Sequence, residues 1–422
     1  MVMRWTILER RILRCDSRQK YKRNSNKRLR EKSGTRLRGL QADTFVQVTF
    51  ASLRVKYPGS WPGVFYYITE IDKNRYNVSS IKLSKSVASK LRKNSKKKSS
   101  YASNKIEGNP LSEQQADEVI ESDERKHFLK PEQEVRNYFL ALNYLEDMLE
   151  RREPFSKKLI LDVQKMVEKG ASKEKIGLRG PMPPGVLFAV YDSKTGNPDY
   201  IPPEYSDIPG LLEELVNYVN TTDDHPLIVA AIVHYQMVTI HPFEDGNGRT
   251  ARLMSGYIMD LNGYGFNGIG SLEEYFAYDI DEYYESIQMG LPALYYSGRE
   301  NPPHPEIWIN YFLRMVLLYS NKVCDLQASN NQDEVASSLS YLKAREKELL
   351  LLLMEKYKGK FTPIEVSRLL DVTNRTVINR LATLTRNGFV NPEIVNQRIR
   401  SYELSDFTKD HMEVIKELVR ND

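Results

Sequence analysis

Twelve consecutive residues, HPFEDGNGRTAR at positions 241–252, carry the densest chemistry in this chain. Gly246 and Gly248 let the backbone turn and come close to a ligand. A helix is expected from about Arg249, with Leu253, Tyr257, Ile258 and Leu261 on its apolar stripe and Asn262-Gly263 ending it. The N–H groups of Gly246, Asn247 and Gly248 then point outward at the positive end of the helix dipole, which makes an anion site. Arg249 and Arg252 lie three apart on one helical face, and two guanidinium forks suit phosphate oxygens. Asp245 supplies a hard oxygen for Mg2+, which takes one or two carboxylates plus phosphate oxygens. His241 is a candidate base, with an unperturbed pKa of about 6.5. Phe243 is expected to point the other way and lock the loop into the core.

Any one of these residues has an ordinary structural role. A lone His is usually structural, paired Arg usually meet surface acids, and Gly-x-Gly is usually a turn. Their joint spacing is what points to a polyphosphate, its metal and a base held side by side.

At 422 residues the chain can hold two or three domains. Two cysteines, Cys15 and Cys324, cannot build a disulfide framework and point to a reducing compartment. The longest apolar runs, 227–233 and 349–354, fall far short of the roughly 20 residues of a membrane span. The N-terminal residues have no apolar core of signal-peptide length. The chain therefore reads as soluble and cytoplasmic, with no membrane partner. Its net charge of +5 is uneven: residues 1–40 hold 14 Lys and Arg against three acids, leaving the remainder near −6.

The expected layout is mainly α. Residues 1–60 read as a basic, disordered tail and 61–99 as a poorly defined lead-in, with Lys90–Lys98 a solvated face or linker. From about 100 to 325 helices dominate. The segment 132–151 puts Val135, Phe139, Leu142, Leu145 and Leu149 on one stripe, and the helix after Ser156 closes at Gly170. Residues 186–201 alternate and turn at 193–197, as a β-hairpin would. Residues 326–336 are polar and read as a linker. Over 337–422 three helices precede a short hairpin, an order resembling a winged helix-turn-helix. Its third helix, 373–387, carries Asn374, Arg375, Asn379, Arg380 and Arg386, and Arg398 and Arg400 fall on the wing. Arg and Asn suit phosphates and base edges, so DNA is one candidate partner. Glu393 and Glu403 dilute the charge, and such modules also bind proteins or dimerise, so a homodimer is another.

The motif fits without a gap the pattern of the Fic family and its Doc relatives, which reads His, x, Phe, x, Asp/Glu, Gly, Asn, Gly, Arg, x, x, Arg. The preceding HPLIVAAIVHYQMVTI also resembles that family, over about residues 100–320. The resemblance implies a Fic-type helical core with a hairpin flap, and a protein adenylyltransferase that moves AMP from ATP to a hydroxyl. His241 would deprotonate that hydroxyl. Asp245 would hold Mg2+, Gly246, Asn247 and Gly248 would cradle the α- and β-phosphates, and Arg249 and Arg252 would hold the outer ones. Gly248, in place of a bulkier residue, favours AMP transfer over Doc-like phosphotransfer. Transfer of another phosphate-containing group is an alternative within the enzyme class. A DNA-binding regulator using the core as a nucleotide sensor is the alternative outside it.

Ser103-Asn104-Lys105-Ile106-Glu107-Gly108 resembles the family's inhibitory-helix pattern. That implies a brake in which Glu107 pairs with Arg252 and competes with an outer phosphate. In some relatives the same glutamate supports AMP removal. The hairpin 186–201 corresponds to the family's flap, where an edge would register a target protein by strand addition. Tyr278, Tyr283 and Tyr284 read equally as adenine walls or core aromatics, as does Gln236 on the helix before His241. His127, His225, His234, His304 and His411 have no metal-ligand spacing.

Overall fold

The structure is a computed structural model that describes residues 62–422 except 123–126, 173–174, 187, 192–195, 290–303, 396–397 and 422. The expected basic tail, Cys15 and most of the 193–197 turn lie outside the described residues.

Two helices fill the stretch read as a lead-in: α1 (Pro62–Ser80) and α2 (Lys85–Ile106). Ser84 caps α2, its hydroxyl accepting from Val87 N–H. The basic run inside α2 is helix rather than linker, a solvated face at Lys90, Arg92 and Lys93 and a paired one beyond. Lys97 Nζ lies 2.8 Å from Glu121, Lys98 Nζ lies 3.0 Å from Glu274, and Lys96 meets Glu146. Three neighbouring helices supply those acids: α3 (Glu113–Glu121), α4 (Lys130–Glu150) and, later in the chain, α9 (Glu273–Phe276). Composition alone cannot reveal countercharges that lie up to 176 residues away. On α4 the core face is broader than the expected stripe. Val135 and Leu145 are buried together with Tyr138 and Ala141.

Helix α5 (Lys157–Glu168) starts on a Ser156 cap. A short antiparallel hairpin follows, β1 (Val190–Tyr191) and β2 (Pro198–Tyr200), with Val190 opposite Tyr200. The Tyr200 hydroxyl donates to Thr239 O at 2.6 Å and anchors the hairpin. Next come α6 (Ile208–Thr221), α7 (Pro226–Ile240) and α8 (Asn247–Leu261). Helix α7 is apolar almost all round and is therefore buried all round, with α8 packed along it. A 3-10 turn, Phe266–Gly268, leads to α9 (Glu273–Phe276) and α10 (Ile280–Gln288). Trp308 is fully buried and donates from Nε1 to Ala231 O at 2.8 Å, tying the next helix to α7.

That helix, α11 (Pro305–Leu339), is continuous for 35 residues, about 52 Å at 1.5 Å per residue. The expected linker at 326–336 is thus helix. Its polar residues conceal an inward stripe of Gln327, Asn331, Val335 and Leu339, all buried. Val335 and Leu339 belong to the core of the C-terminal segment.

That segment has the expected order. Helices α12 (Ala344–Lys356), α13 (Pro363–Leu370) and α14 (Asn374–Arg386) precede strands β3 (Val390–Val395) and β4 (Arg398–Leu404), then α15 (Asp406–Asp410) and α16 (Met412–Arg420). Thr362 and Thr373 cap α13 and α14. Leu350, Leu353, Phe361, Val377, Leu381 and Phe389 form its centre. Among the described residues no helix is long and apolar enough to cross a membrane.

A proline at the exposed position Gln332 distinguishes helix from linker. Gln332→Pro is expected to cost about 3 kcal/mol, the penalty of a helix-interior proline. Denaturant unfolding followed by circular dichroism measures it. An unchanged midpoint would restore the linker reading.

Candidate active site

Helix α7 ends at His241, whose left-handed backbone (φ 48°, ψ 58°) swings the chain out of the helix. His241 Nδ1 lies 3.2 Å from Val238 O, which fits the tautomer that donates from Nδ1 and leaves Nε2 as the acceptor. Burial lowers its pKa to about 4, aided by the Arg179 guanidinium. Phe188, from the stretch leading into β1, places its ring 6.0 Å from the imidazole.

The loop after His241 is shaped by its own side chains. Phe243 is fully buried, as expected. Asn247 accepts from Phe243 N–H at 3.0 Å and donates to Phe243 O at 2.8 Å. Its side chain therefore braces the loop. Gly246, at φ 80°, is the N-cap of α8 and offers no side-chain cap. The first N–H groups of α8 thus have neither an intrahelical nor a capping partner.

On one side of these groups lies Arg252, 3% exposed. Its Nε donates to Ser103 Oγ at 2.8 Å, and Nη2 donates to Ser103 O at 2.9 Å and to Glu107 Oε1 at 2.7 Å. Nη1 donates to the Tyr283 hydroxyl at 3.3 Å. Burial alone would lower the Arg252 pKa, but the Glu107 carboxylate outweighs it and keeps the guanidinium charged. Glu107 is the C-cap of α2, and its carboxylate lies over Gly248, where any Cβ would collide with Oε1. Gly248 is therefore the seat of the glutamate and lies within the first turn of α8, while Gly246 alone makes the expected turn.

On the other side lies Arg249, also 3% exposed but directed away from Arg252. Its Nη2 donates to Glu168 Oε1 at 2.9 Å and to Asp245 Oδ1 at 3.3 Å. In this state Arg249 sits among carboxylates and does not join Arg252 at the outer-phosphate position expected of the pair. Asp245 accepts from Gly246 N–H at 2.8 Å, and Lys175 Nζ lies 3.4 Å from its Oδ2. Burial would raise the Asp245 pKa, but Arg249, the Gly246 N–H and Lys175 hold it below the ordinary value.

The aromatic candidates divide. Tyr283 is buried behind Arg252 and lies 2.8 Å from His234 Nε2, a second layer rather than an open wall. Tyr284 and Tyr278 are about half exposed, and the Tyr284 hydroxyl reaches Ile106 O at 3.4 Å. Gln236 is fully buried on α7.

Several neighbours escaped the reading of the sequence: Gln164, Glu168, Lys175, Arg179 and Phe188. Arg179 is 5% exposed; its Nε donates to His241 O at 2.9 Å and its guanidinium lies 4.7 Å from the Phe188 ring centre. The available signal was Gln164 and Glu168 standing on the apolar stripe of α5, beside Ile160, Val163 and Val167.

Residues 154–259 match the Fic/DOC family model. They form a Fic/DOC domain. The match includes α5, the hairpin and the whole 241–252 motif, while Ser103 and Glu107 precede it. The chain is similar to the protein adenylyltransferase Fic of Drosophila mojavensis, 28% identical over 204 residues, 47% of this chain and 38% of that protein. The Drosophila grimshawi protein of the same name is 26% identical over 204 residues, 47% of this chain and 40% of that protein. The matched region thus spans about two fifths of these curated relatives. A solved Fic family protein from Desulfovibrio desulfuricans G20 superposes with a TM-score of 0.51 at 18% identity, over 82% of this chain and 96% of that one. A Fic domain containing signaling protein from Bacteroides thetaiotaomicron also gives 0.51, at 19% identity, over 62% of this chain and 98% of that one. At such identities the likeness is one of fold: the mainly helical Fic architecture.

The burial of His241 has a measurable consequence. The unfolded chain protonates this imidazole near its ordinary value of about 6.5, whereas the folded protein keeps it neutral to about 4. Its contribution to stability is complete above about 6.5 and is lost as pH falls toward about 4. The imidazole carbon-bound proton signals in NMR should stay flat from neutral pH to about 5. A midpoint near 6.5 would refute the burial account.

Proposed function

We propose that this chain is a protein adenylyltransferase, moving AMP from ATP to a Ser, Thr or Tyr hydroxyl and restrained by Glu107. The observation that carries this reading is the Arg252 environment: a buried guanidinium beside the open N-terminus of α8, with a carboxylate seated where an outer phosphate would lie. The names of the Drosophila relatives support the same chemistry.

In this mechanism the ATP phosphates lie along the Gly246–Gly248 backbone, and Arg252 holds the outer phosphate once Glu107 withdraws. The target hydroxyl is brought in beside the hairpin and meets His241 Nε2. Its oxygen bonds to the α-phosphorus as the bond from that phosphorus to the bridging oxygen breaks. The hydroxyl proton passes to Nε2 and pyrophosphate leaves. A neutral imidazole is the form that can accept it, and general-base help is typically worth about 10²- to 10⁴-fold. Positioning and charge neutralisation supply the rest.

The residues fit Mg2+ delivered with the nucleotide. Asp245 keeps a partly open carboxylate, with 29% of its side chain exposed, whereas Glu168 is closed off. Among the described residues no group of three or more His, Cys, Asp or Glu could hold a metal unaided. Asp245 together with phosphate oxygens would hold the cation, which would neutralise phosphate charge. Removal of AMP through Glu107 and self-association into a homodimer are finer aspects of the same reading, as is a cytoplasmic location.

Replacing Glu107 with Gly is expected to raise auto-adenylylation at least about tenfold, of the order of losing one charged ligand competitor, and adding His241→Ala to abolish it. Intact-mass spectrometry after incubation with ATP and Mg2+ reads the outcome. A gain of phosphate alone would replace AMP transfer with phosphotransfer, and equal labelling of parent and Glu107→Gly would remove the brake.

One observation favours a second, concurrent role. Opposite buried Val377, Leu381 and Leu384, helix α14 exposes Asn374, Arg375, Asn379 and Arg386, with Arg380 half-buried, and Arg398 and Arg400 are exposed on β4. This face suits the phosphates and base edges of duplex DNA. Fluorescence anisotropy with duplex DNA should detect binding that weakens steeply with salt and is lost in Arg375→Ala/Arg386→Ala. Equal behaviour of parent and double variant would leave the face to a protein partner.

A further inference from the structure

Helix α5 offers two buried polar side chains to the motif one turn apart, and the reaction described above uses neither. Gln164 and Glu168 are both fully buried. Gln164 Nε2 donates to Lys175 O at 2.8 Å and reaches Asp245 O at 3.4 Å, and its Oε1 accepts from Gly177 N–H at 3.0 Å. Glu168 Oε1 accepts from Arg249 at 2.9 Å. The same oxygen packs against Gly246, where a Cβ would come within 2.6 Å of it.

We propose that Glu168, acting through Arg249, and Gln164, acting through the main chain, are positioning residues that set how the Asp245 carboxylate faces a divalent cation. This rests on the reading of Asp245 as the metal-side ligand. Arg249 cannot turn to water, and its closest carboxylates are Glu168 at 2.9 Å and Asp245 at 3.3 Å, with Glu134 at 3.8 Å. Glu168 is the nearer partner and draws the guanidinium inward. Without it the buried cation closes on Asp245, the remaining near carboxylate, because an unpaired buried charge is costly. Asp245 is then neutralised from behind and turned from the phosphate side. Gln164 fixes the other end of the same residue, and by holding Lys175 O it also fixes the segment whose Nζ meets Asp245 Oδ2. Groups that orient a metal ligand in this way typically change metal affinity by about 10- to 100-fold.

The test uses the full chain carrying Glu107→Gly and follows binding of a fluorescent ATP analogue. Mg2+ is titrated in one series, and EDTA replaces it in the other. Glu168→Leu should raise the half-saturating Mg2+ concentration about tenfold and leave nucleotide affinity in EDTA unchanged. Glu168→Gln, which keeps an oxygen acceptor for Arg249, should recover most of that loss. A purely structural role would weaken binding equally in both series. A folded Glu168→Leu chain with the parent's Mg2+ dependence overturns the proposal. Should Glu168→Leu not fold, Gln164→Leu decides alone: a raised half-saturating Mg2+ concentration with unchanged affinity in EDTA supports the proposal, and the parent's Mg2+ dependence overturns it. Failure of the parent itself to bind nucleotide more tightly with Mg2+ would instead overturn the reading of Asp245, and this proposal with it.

Discussion

A single buried cation organises the candidate site. Arg252 is almost entirely removed from water, and a guanidinium in that position must be matched donor by donor. Its partners come from elements far apart in the chain: Ser103 and Glu107 from the end of α2, Tyr283 from α10, and His234 of α7 one layer behind Tyr283. Helix α2 is itself clamped at one turn, where Lys96, Lys97 and Lys98 pair with Glu146, Glu121 and Glu274 on three other helices. The packing of three helices around α8 and the electrostatics of the site are therefore one arrangement. Moving α2 away would leave Arg252 without its Ser103 partners as well as its carboxylate.

His241 and Asp245 are held by different means. His241 takes its position from backbone geometry, a left-handed residue at the end of the most deeply buried helix, secured from outside by Arg179 on its carbonyl. Asp245 takes its position from charge, through Arg249, Lys175 and the Gly246 N–H. Asn247 joins the halves by bonding both main-chain groups of Phe243. The loop between the two arginines' environments is thus braced by its own side chains, and the α8 N–H groups remain the part left for a ligand.

Much of this was legible because it is local. The 241–252 motif, the α8 start, the Ser156, Thr362 and Thr373 caps and the short hairpin all follow from spacing within one or two turns. The Ser103–Glu107 spacing was legible as well, and the fold brings it to Arg252 across 145 positions. The remainder depended on countercharges and burial that sequence does not carry. Lys96–Lys98 looked solvated because their acids lie on other helices, and 326–336 looked like a linker because its inward stripe is half polar. Arg249 looked like a phosphate ligand because its nearest carboxylate is Glu168, which a helical wheel would assign to the core. Tyr283 and Tyr284 are adjacent in sequence, yet one is buried and the other half exposed.

The partners of Arg252 are unequal in a way that bears on how the site could open. Glu107 has 32% of its side chain exposed, whereas Ser103 is fully buried. If Glu107 swings out, water takes up its carboxylate, while Nε and Nη2 keep Ser103 and Nη1 keeps Tyr283, and the cost falls on the uncompensated guanidinium. The guanidinium then stays in place but loses its countercharge. What remains is a fixed positive group beside the unfilled N–H groups of α8 and over the bare Gly248 backbone. Such a pocket attracts a polyanion without further rearrangement. The Glu107 contact is thus the solvent-facing member of an otherwise buried set, so breaking it requires motion of one side chain and its cap rather than of the helix that carries it.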